Sequence, residues 1–208
     1  DFVWGDLCDR YLEIVKPRMR DESAAPVARS VLALAFDHVL RLFHPFVPFI
    51  TEALWERLNA QCPVRGLLTP IRTSPLLLQA RWPETNPRWE DEALEADFGL
   101  AFDLVRAIRD LRAHHGASPG LKLAVSVRAS DQETAVLGRL RSLVLHLANL
   151  ESLEAGPGIA RPSGASVQVI GNMEVFVPGL GDPVKERERL TAKRGKLVDE
   201  AKKIEAKL

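Results

Sequence analysis

The sequence predicts a mainly α-helical protein, in which a helical bundle is followed by a small α/β domain and a terminal helical arm. Apolar residues at helical spacing dominate the first half, and alternation of apolar and polar residues begins near position 121. The last residues combine a seven-residue apolar repeat with an excess of positive charge. These patterns divide the chain into residues 1–116, 117–181 and 182–208.

Composition restricts the class of protein. The 208 residues are 46% hydrophobic and carry 28 basic and 28 acidic side chains, which is typical of a globular protein. No apolar run approaches the roughly 18 residues that a membrane span needs, and the start has no leader-like pattern. Cys8 and Cys62 lack metal-ligand spacing, which argues against a disulfide framework or zinc site. We therefore expect a cytoplasmic protein without membrane contact or bound metal.

The first two predicted helices are amphipathic. Apolar residues recur at intervals of three and four from Val3 to Val15, which predicts a helix that ends before Pro17. A second helix is predicted from Pro26 to Phe43. Its expected apolar side is formed by Val27, Val31, Leu34, His38 and Leu42.

Prolines mark the next boundaries. Pro45 and Pro48 must bend the chain, and Pro48 is well placed as the first residue of a third helix ending near Leu58. Residues 59–87 are rich in proline and show no period, so we expect a long loop that drapes over the bundle. A fourth helix is predicted from Trp89 to His114. Its expected apolar face is Leu94, Phe98, Ala101, Val105, Ile108 and Leu111.

The second half predicts a small α/β unit. Alternation over residues 121–127 predicts a strand, and Ser130 with Glu133 has the spacing of a capping box before a helix that reaches Leu147. Residues 152–155 predict another short strand. Two β-prone runs, 166–170 and 173–177, are joined by Gly171-Asn172, which predicts a hairpin.

The last segment predicts a basic amphipathic helix. Leu190, Leu197 and Ile204 recur every seven residues, as in a helix that packs on a partner helix. From Lys185 onward there are nine Lys or Arg residues against five Asp or Glu. This excess predicts a surface for a polyanion, although a solvated coiled-coil face would have the same composition.

Candidate sites are basic rather than catalytic, because no acid–base pair, triad or ligand cluster emerges. Lys16, Arg18 and Arg20 follow the first helix, and Arg109 and Arg112 lie one turn apart on the fourth. Helix-end dipoles or nearby carboxylates could hold the same side chains instead. The candidate residues of the arm are Lys185, Arg187, Arg189, Lys193, Arg194, Lys196, Lys202 and Lys203.

Three strings resemble one family. FVWGDLCDRYLEIVKPRM resembles the entry helix of the anticodon-binding bundle of class I aminoacyl-tRNA synthetases for aliphatic amino acids, and VLRLFHPFVPFITEALWERL resembles the next signature of that bundle. AFDLVRAIRDLRAHHGASPGLKLAVSV is similar to the segment in which those enzymes pass from a helix into a strand. The ending resembles the coiled-coil arm of one member of the group. Isoleucyl enzymes typically end in a zinc module, and no cysteine follows Cys62.

The resemblance implies tRNA as partner, together with the catalytic domain of the same polypeptide. That domain would use ATP and Mg²⁺, whereas this segment has no signature of the HIGH or KMSKS type, and His114-His115-Gly116 does not replace one. By itself the segment is expected to catalyse nothing and to be a monomer. The first helices of the bundle are expected upstream of Asp1, and the second helix of the arm after Leu208.

Two alternatives remain open on the sequence alone. The chain could come from the isoleucyl or leucyl member of the same group. It could also be a non-enzymatic helical module that dimerises through its terminal heptads.

Overall fold

The structure is a computed structural model, and it describes residues 2–67 and 69–180. These residues form helices, a two-stranded hairpin and a four-stranded mixed sheet, which confirms the mainly α prediction with its α/β part. The chain divides into two compact units, the first ending at Glu90 and the second beginning at Asp91. The fourth helix belongs to the second unit, whereas the boundary drawn from the sequence at 116 grouped it with the bundle. The predicted arm, 182–208, lies outside the described residues.

The first unit is helical. A π-helical segment, Val3–Tyr11, leads into α1, Leu12–Arg20. It is followed by α2, Ala25–Phe43, and α3, Pro48–Gln61. Pro48 stands at the start of α3, as predicted, because a proline there lacks only a donor that would have no helical partner.

The predicted helix end before Pro17 is wrong, since α1 continues to Arg20. A proline inside a helix removes one backbone hydrogen bond and crowds the carbonyl of the preceding turn, but its fixed φ is itself helical. Val15 is buried beside it and α1 packs on α2. Tertiary packing therefore outweighs the local preference of Pro17.

The predicted apolar face of α2 is also wrong. Val27 and Leu42 are exposed, and Val31, Leu34 and His38 are only partly buried. The helix is apolar on nearly every side, so its period does not select one face. The buried residues are instead mostly small, which lets neighbouring elements approach: Ala25, Ala28, Ala33, Asp37 and Leu40.

The proline-rich segment after α3 lies against the helices, which confirms the predicted draping. It contains a short hairpin of β1, Val64–Arg65, and β2, Ile71–Arg72, and 3₁₀ turns at Leu77–Gln79 and Pro87–Trp89. Leu77 packs with Leu40 and Trp55 in the core of this unit.

Gly66 is required by the β1–β2 hairpin. Its φ is +120°, and a Cβ built there would lie 2.2 Å from the carbonyl oxygen of Thr69. Replacing Gly66 with alanine is therefore expected to destabilise the first unit by roughly 1–3 kcal/mol. Urea unfolding measures this, and Gly5→Ala is the control, since a Cβ at Gly5 meets nothing within 4 Å. Equal stability of the two variants would contradict the argument.

The second unit is a four-stranded sheet with helices packed on it. The helices are α4, Glu92–His114, α5, Asp131–Arg139, and α6, Arg141–Leu147. The strands are β3, Leu123–Arg128, β4, Leu150–Gly156, β5, Ser166–Ile170, and β6, Met173–Val177. Their order is β4-β3-β6-β5, with β3 parallel to β4 and antiparallel to β6.

Local sequence signals in the second unit are confirmed. Gly171 and Asn172 form the turn of the β5–β6 hairpin, in which Ile170 pairs with Met173. Ser130 and Glu133 form the reciprocal hydrogen bonds of a capping box. The helix predicted to reach Leu147 is interrupted at Leu140.

The core of the second unit joins α4 to the sheet. Leu104 and Ile108 of α4 pack with Val125, Val127 and other inward residues of the strands. Leu94, predicted on this face, lies in the first turn of α4 and is half exposed. The remaining residues predicted for the face are buried or partly buried.

Candidate nucleic-acid interface

The last turns of α1 present the first group of candidate basic residues. Lys16, Arg18 and Arg20 are all exposed. Lys16 pairs with the carboxylate of Glu13, one turn earlier on the same helix. Within residues 2–67 and 69–180, Arg18 and Arg20 form no ion pair. Their guanidinium groups are thus available to an anion from solution.

In the turn after α1, the carboxylate of Asp21 accepts hydrogen bonds from within the turn. Asp21 Oδ1 accepts hydrogen bonds from Ser23 Oγ at 2.7 Å and from Ser23 N at 2.9 Å. These bonds, the side-chain one first, lower the pKa of Asp21. The carboxylate adjacent to Arg20 in sequence is therefore held by hydrogen bonds within the turn, and among the described residues it forms no ion pair with that arginine.

Tyr11 precedes Arg18 by seven residues in the same run of helix. Partial burial raises the pKa of its hydroxyl, and the positive charge of Arg18 acts against that rise. The charge of Arg18 therefore acts on Tyr11, earlier in the same helical stretch.

Arg109 and the neighbouring Arg106 lie exposed on α4. Arg109 is exposed and donates from Nη2 to the carbonyl oxygen of Leu147 at 2.8 Å, at the end of α6. Arg106 lies 3.7 Å from the carboxylate of Asp103 and is exposed as well. Neither contact buries the guanidinium group.

Arg112 is instead a buried structural side chain, only 6% exposed. Its Nη1 donates to the carbonyl oxygens of Ser118, at 3.1 Å, and Leu121. Its Nη2 donates to those of Ala148, at 2.9 Å, and Asn149, at 3.3 Å. Burial lowers the pKa of Arg112 from its ordinary value. This guanidinium joins the loop after α4 to the end of α6.

A buried ion-pair network in the first unit was not predicted from the sequence. Arg65 Nη1 donates to Asp37 Oδ2 at 2.6 Å, and its Nη2 donates to Asn59 Oδ1 at 2.5 Å. The guanidinium lies over the ring of Trp55, 4.3 Å from its centroid. Arg41 adds a second cation, with Nε 2.7 Å from Asp37 Oδ1. An aspartate inside the apolar sequence of α2 was the signal for such a network.

The histidines and tryptophans mostly have structural contacts. His44 Nδ1 lies 2.9 Å from Thr51 Oγ1, and His38 Nδ1 lies 2.9 Å from the carbonyl oxygen of Leu34. Trp55 is fully buried and donates to the carbonyl oxygen of Ser74 at 3.0 Å. Trp4 falls among the apolar residues that recur at helical spacing from Val3 to Val15, but its side chain is exposed, as are those of Trp82 and Trp89.

The described part of the chain offers neither a metal-ligand cluster nor a membrane span. Among residues 2–67 and 69–180, no group of three or more His, Cys, Asp or Glu side chains could hold a metal ion. None of the helices in these ranges is long and apolar enough to cross a bilayer.

The remaining candidates belong to the arm and lie outside the described residues: Lys185, Arg187, Arg189, Lys193, Arg194, Lys196, Lys202 and Lys203. The basic amphipathic helix predicted for residues 182–208 falls on the same segment and stays a prediction.

Residues 1–127 match the family described as the anticodon-binding domain of tRNA ligase, and the chain belongs to that family. Relatives that it matches include valine–tRNA ligases, the member of the group whose coiled-coil arm the ending resembles. The one from Thermosynechococcus vestitus is 38% identical over 205 residues, covering 98% of this chain and 21% of the relative. Those from Caulobacter vibrioides, 35% identical over 212 residues, and Symbiobacterium thermophilum, 33% identical over 221, cover the whole chain. The chain spans 21–24% of the length of these relatives.

Proposed function

We propose that this chain binds tRNA and positions it, as the anticodon-binding part of a longer enzyme that attaches valine to tRNA with ATP and Mg²⁺. The observation that carries the proposal is the family match over residues 1–127, in a chain whose named relatives are valine–tRNA ligases. The chemistry would belong to the remainder of that polypeptide, as would the ATP and Mg²⁺ sites. We place the enzyme in the cytoplasm and expect it to act as a monomer.

The end of α1 is the part of the first unit that we assign to tRNA. Arg18 and Arg20 are exposed and form no ion pair within the described ranges, and Lys16 stands one turn from Arg20. Flexible cations of this kind bind phosphate oxygens and set the position of the RNA, while unstacked anticodon bases are read by stacking and by their edges.

In the second unit we assign Arg109 to tRNA and leave Arg112 out. Arg109 donates one hydrogen bond to the carbonyl oxygen of Leu147, and its guanidinium group remains exposed. The guanidinium group of Arg112, in contrast, already donates to four carbonyl oxygens of the protein. For the arm, we propose contact with the outer corner of the folded tRNA, because its sequence carries an excess of positive charge. Binding energy gathered at such remote sites helps to orient the acceptor end for reaction.

Salt dependence of tRNA binding tests this assignment. Neutralising phosphates releases counterions, so the logarithm of the binding constant falls linearly with the logarithm of salt concentration. Replacing both Arg18 and Arg20 with alanine is expected to weaken binding of a valine tRNA transcript. The slope is expected to become shallower by about one for each arginine that no longer neutralises a phosphate. Filter binding or fluorescence anisotropy across a salt series gives both quantities.

Arg72→Ala is the matched control, since Arg72 is exposed on β2 of the same unit and outside the proposed surface. It is expected to leave the slope unchanged. A double variant at Arg18 and Arg20 that behaves like Arg72→Ala would remove α1 from the interface. A chain that sediments as a salt-insensitive dimer and binds no tRNA would support the dimerisation module instead.

A further inference from the structure

Two arginines of α4 bind the carbonyl oxygens at the end of α6. Arg109 donates to the carbonyl oxygen of Leu147 at 2.8 Å. Arg112 donates to those of Ala148, at 2.9 Å, and Asn149, at 3.3 Å. The last carbonyl groups of a helix have no partner within it, so side-chain donors commonly bind them. Three consecutive carbonyl oxygens, beginning at the last residue of α6, are therefore held by neighbouring guanidinium groups.

The two arginines differ in what their other donors bind. Arg112 is buried, and its remaining bonds go to the carbonyl oxygens of Ser118 and Leu121, in the loop after α4. Arg109 is exposed, and the bond to Leu147 is its one polar contact among residues 2–67 and 69–180. Since an arginine carries several N–H donors, most donors of Arg109 remain available to an anion.

The end of α6 depends on tertiary contacts for its position. The helix, Arg141–Leu147, is seven residues long and has no side-chain cap at its start. Isolated helices of this length are marginal at best in water. Asn149, whose φ is +50°, donates from Nδ2 to the carbonyl oxygen of Pro119 at 2.8 Å. This bond and the bonds of Arg112 thus fix the chain immediately after α6 to the loop that follows α4.

We infer that Arg112 is a positioning residue for tRNA binding, which acts through Arg109. Arg112 fixes the end of α6, and the carbonyl of Leu147 at that end holds the Arg109 side chain ready to meet a phosphate. Holding a long side chain in place before binding avoids part of the entropy cost of ordering it in the complex. Arg112 itself does not touch the RNA. The inference rests on the proposed function, because Arg109 is the residue assigned there to tRNA.

A double-mutant cycle tests the inference. The unchanged 208-residue chain is compared with Arg109→Ala, Arg112→Lys and the double variant. The dissociation constant of a valine tRNA transcript is measured by fluorescence anisotropy at a temperature at which all four are folded. With Arg109 present, Arg112→Lys is expected to weaken binding by about two- to tenfold, which corresponds to the cost of ordering one long side chain. With Arg109→Ala already in place, Arg112→Lys is expected to leave binding unchanged.

Two further variants separate positioning from loss of stability. Val127→Ala opens a cavity in the core of the same unit, where this side chain is fully buried, and is expected to leave tRNA affinity unchanged. Asn149→Gly keeps the positive φ but removes the bond to Pro119. It is expected to weaken binding, again only when Arg109 is present, and it decides the question if Arg112→Lys does not fold.

Equal losses of affinity from Arg112→Lys with and without Arg109 would overturn the inference, and so would an unchanged affinity of folded Arg112→Lys. A similar loss in Val127→Ala would also overturn it, because general destabilisation would then be the cause. If Arg109→Ala alone left affinity and salt slope unchanged, the inference would fall while tRNA binding through α1 could still stand. Failure of the proposed function itself is a different result, in which the unchanged chain binds no tRNA.

Discussion

Replacing Asp37 with alanine is expected to lower the free energy of unfolding of the first unit by about 3–5 kcal/mol, because removal of one partner leaves an uncompensated buried charge. Asp37 is 2% exposed, and Arg65 donates to it at 2.6 Å. Without the carboxylate, the guanidinium of Arg65 retains only neutral partners, the oxygens of Asn59 and Cys62 and the ring of Trp55. Solvent offers little compensation for the missing carboxylate, since the side chain of Arg65 is itself 2% exposed.

The measurement must show that the first unit, and not the second, is the one that Asp37→Ala destabilises. Two units need not unfold together, so urea unfolding followed by circular dichroism is best combined with hydrogen exchange resolved by peptide. Faster exchange is expected in α2 and α3, whose facing sides meet at Trp55, and in the β1–β2 hairpin that Arg65 anchors. Exchange in the sheet of the second unit is expected to be unchanged.

Two further variants decide whether the charge is the cause. Asp6→Ala breaks the exposed pair with Arg10 and is expected to cost less than about 1 kcal/mol. The double variant Asp37→Leu with Arg65→Met removes the two most deeply buried charges, and Arg41, which is 20% exposed, keeps its bond to the carbonyl oxygen of Arg81. This variant is expected to recover most of the stability. If Asp37→Ala costs no more than Asp6→Ala, the network does not hold the proline-rich segment in place.

Replacing Arg112 with lysine is expected to destabilise the second unit by about 2–4 kcal/mol, because buried carbonyl groups are deprived of charged donors. The two terminal nitrogens of Arg112 point to opposite sides, one to the loop after α4 and one to the end of α6. A lysine keeps the positive charge but carries one nitrogen on a flexible stem, so it cannot serve both sides. Thermal unfolding and exchange in α6 measure the effect.

The neighbouring Arg109 is the matched control. Arg109→Ala removes one exposed bond, to Leu147, and is expected to change stability by less than about 1 kcal/mol. Its expected effect is on tRNA binding, as a smaller salt slope. If Arg112→Lys were as stable as the unchanged protein and altered only tRNA binding, then the assignment of the two arginines would have to be reversed.

Features with local causes were predictable from the sequence. The capping box at Ser130 and the hairpin turn at Gly171-Asn172 each depend on a few adjacent residues, and both are confirmed. The first turn of α3 at Pro48 follows from the missing donor of proline. In each case the residue and its partner are close in sequence, so pattern and structure agree.

Features with distant partners were not predictable. Asp37 and Arg65 are 28 positions apart, and nothing local indicates that a loop arginine enters the core. Arg112 looks like any basic residue on a helix flank until the carbonyl groups beyond α4 and α6 are placed around it. The face of α2 was misjudged for the opposite reason, since almost all of its sides are apolar.

The position of β3 has a consequence for how the second unit can be shortened. This strand is central, bonded to β4 on one side and to β6 on the other, although β6 follows it by more than forty positions. A protein that stopped before Met173 would lack β6 and would leave β3 with an open hydrogen-bonding edge next to the buried Val125 and Val127. Such truncated chains are therefore expected to aggregate during synthesis, and a soluble version of this unit must retain both Glu92 and Val177.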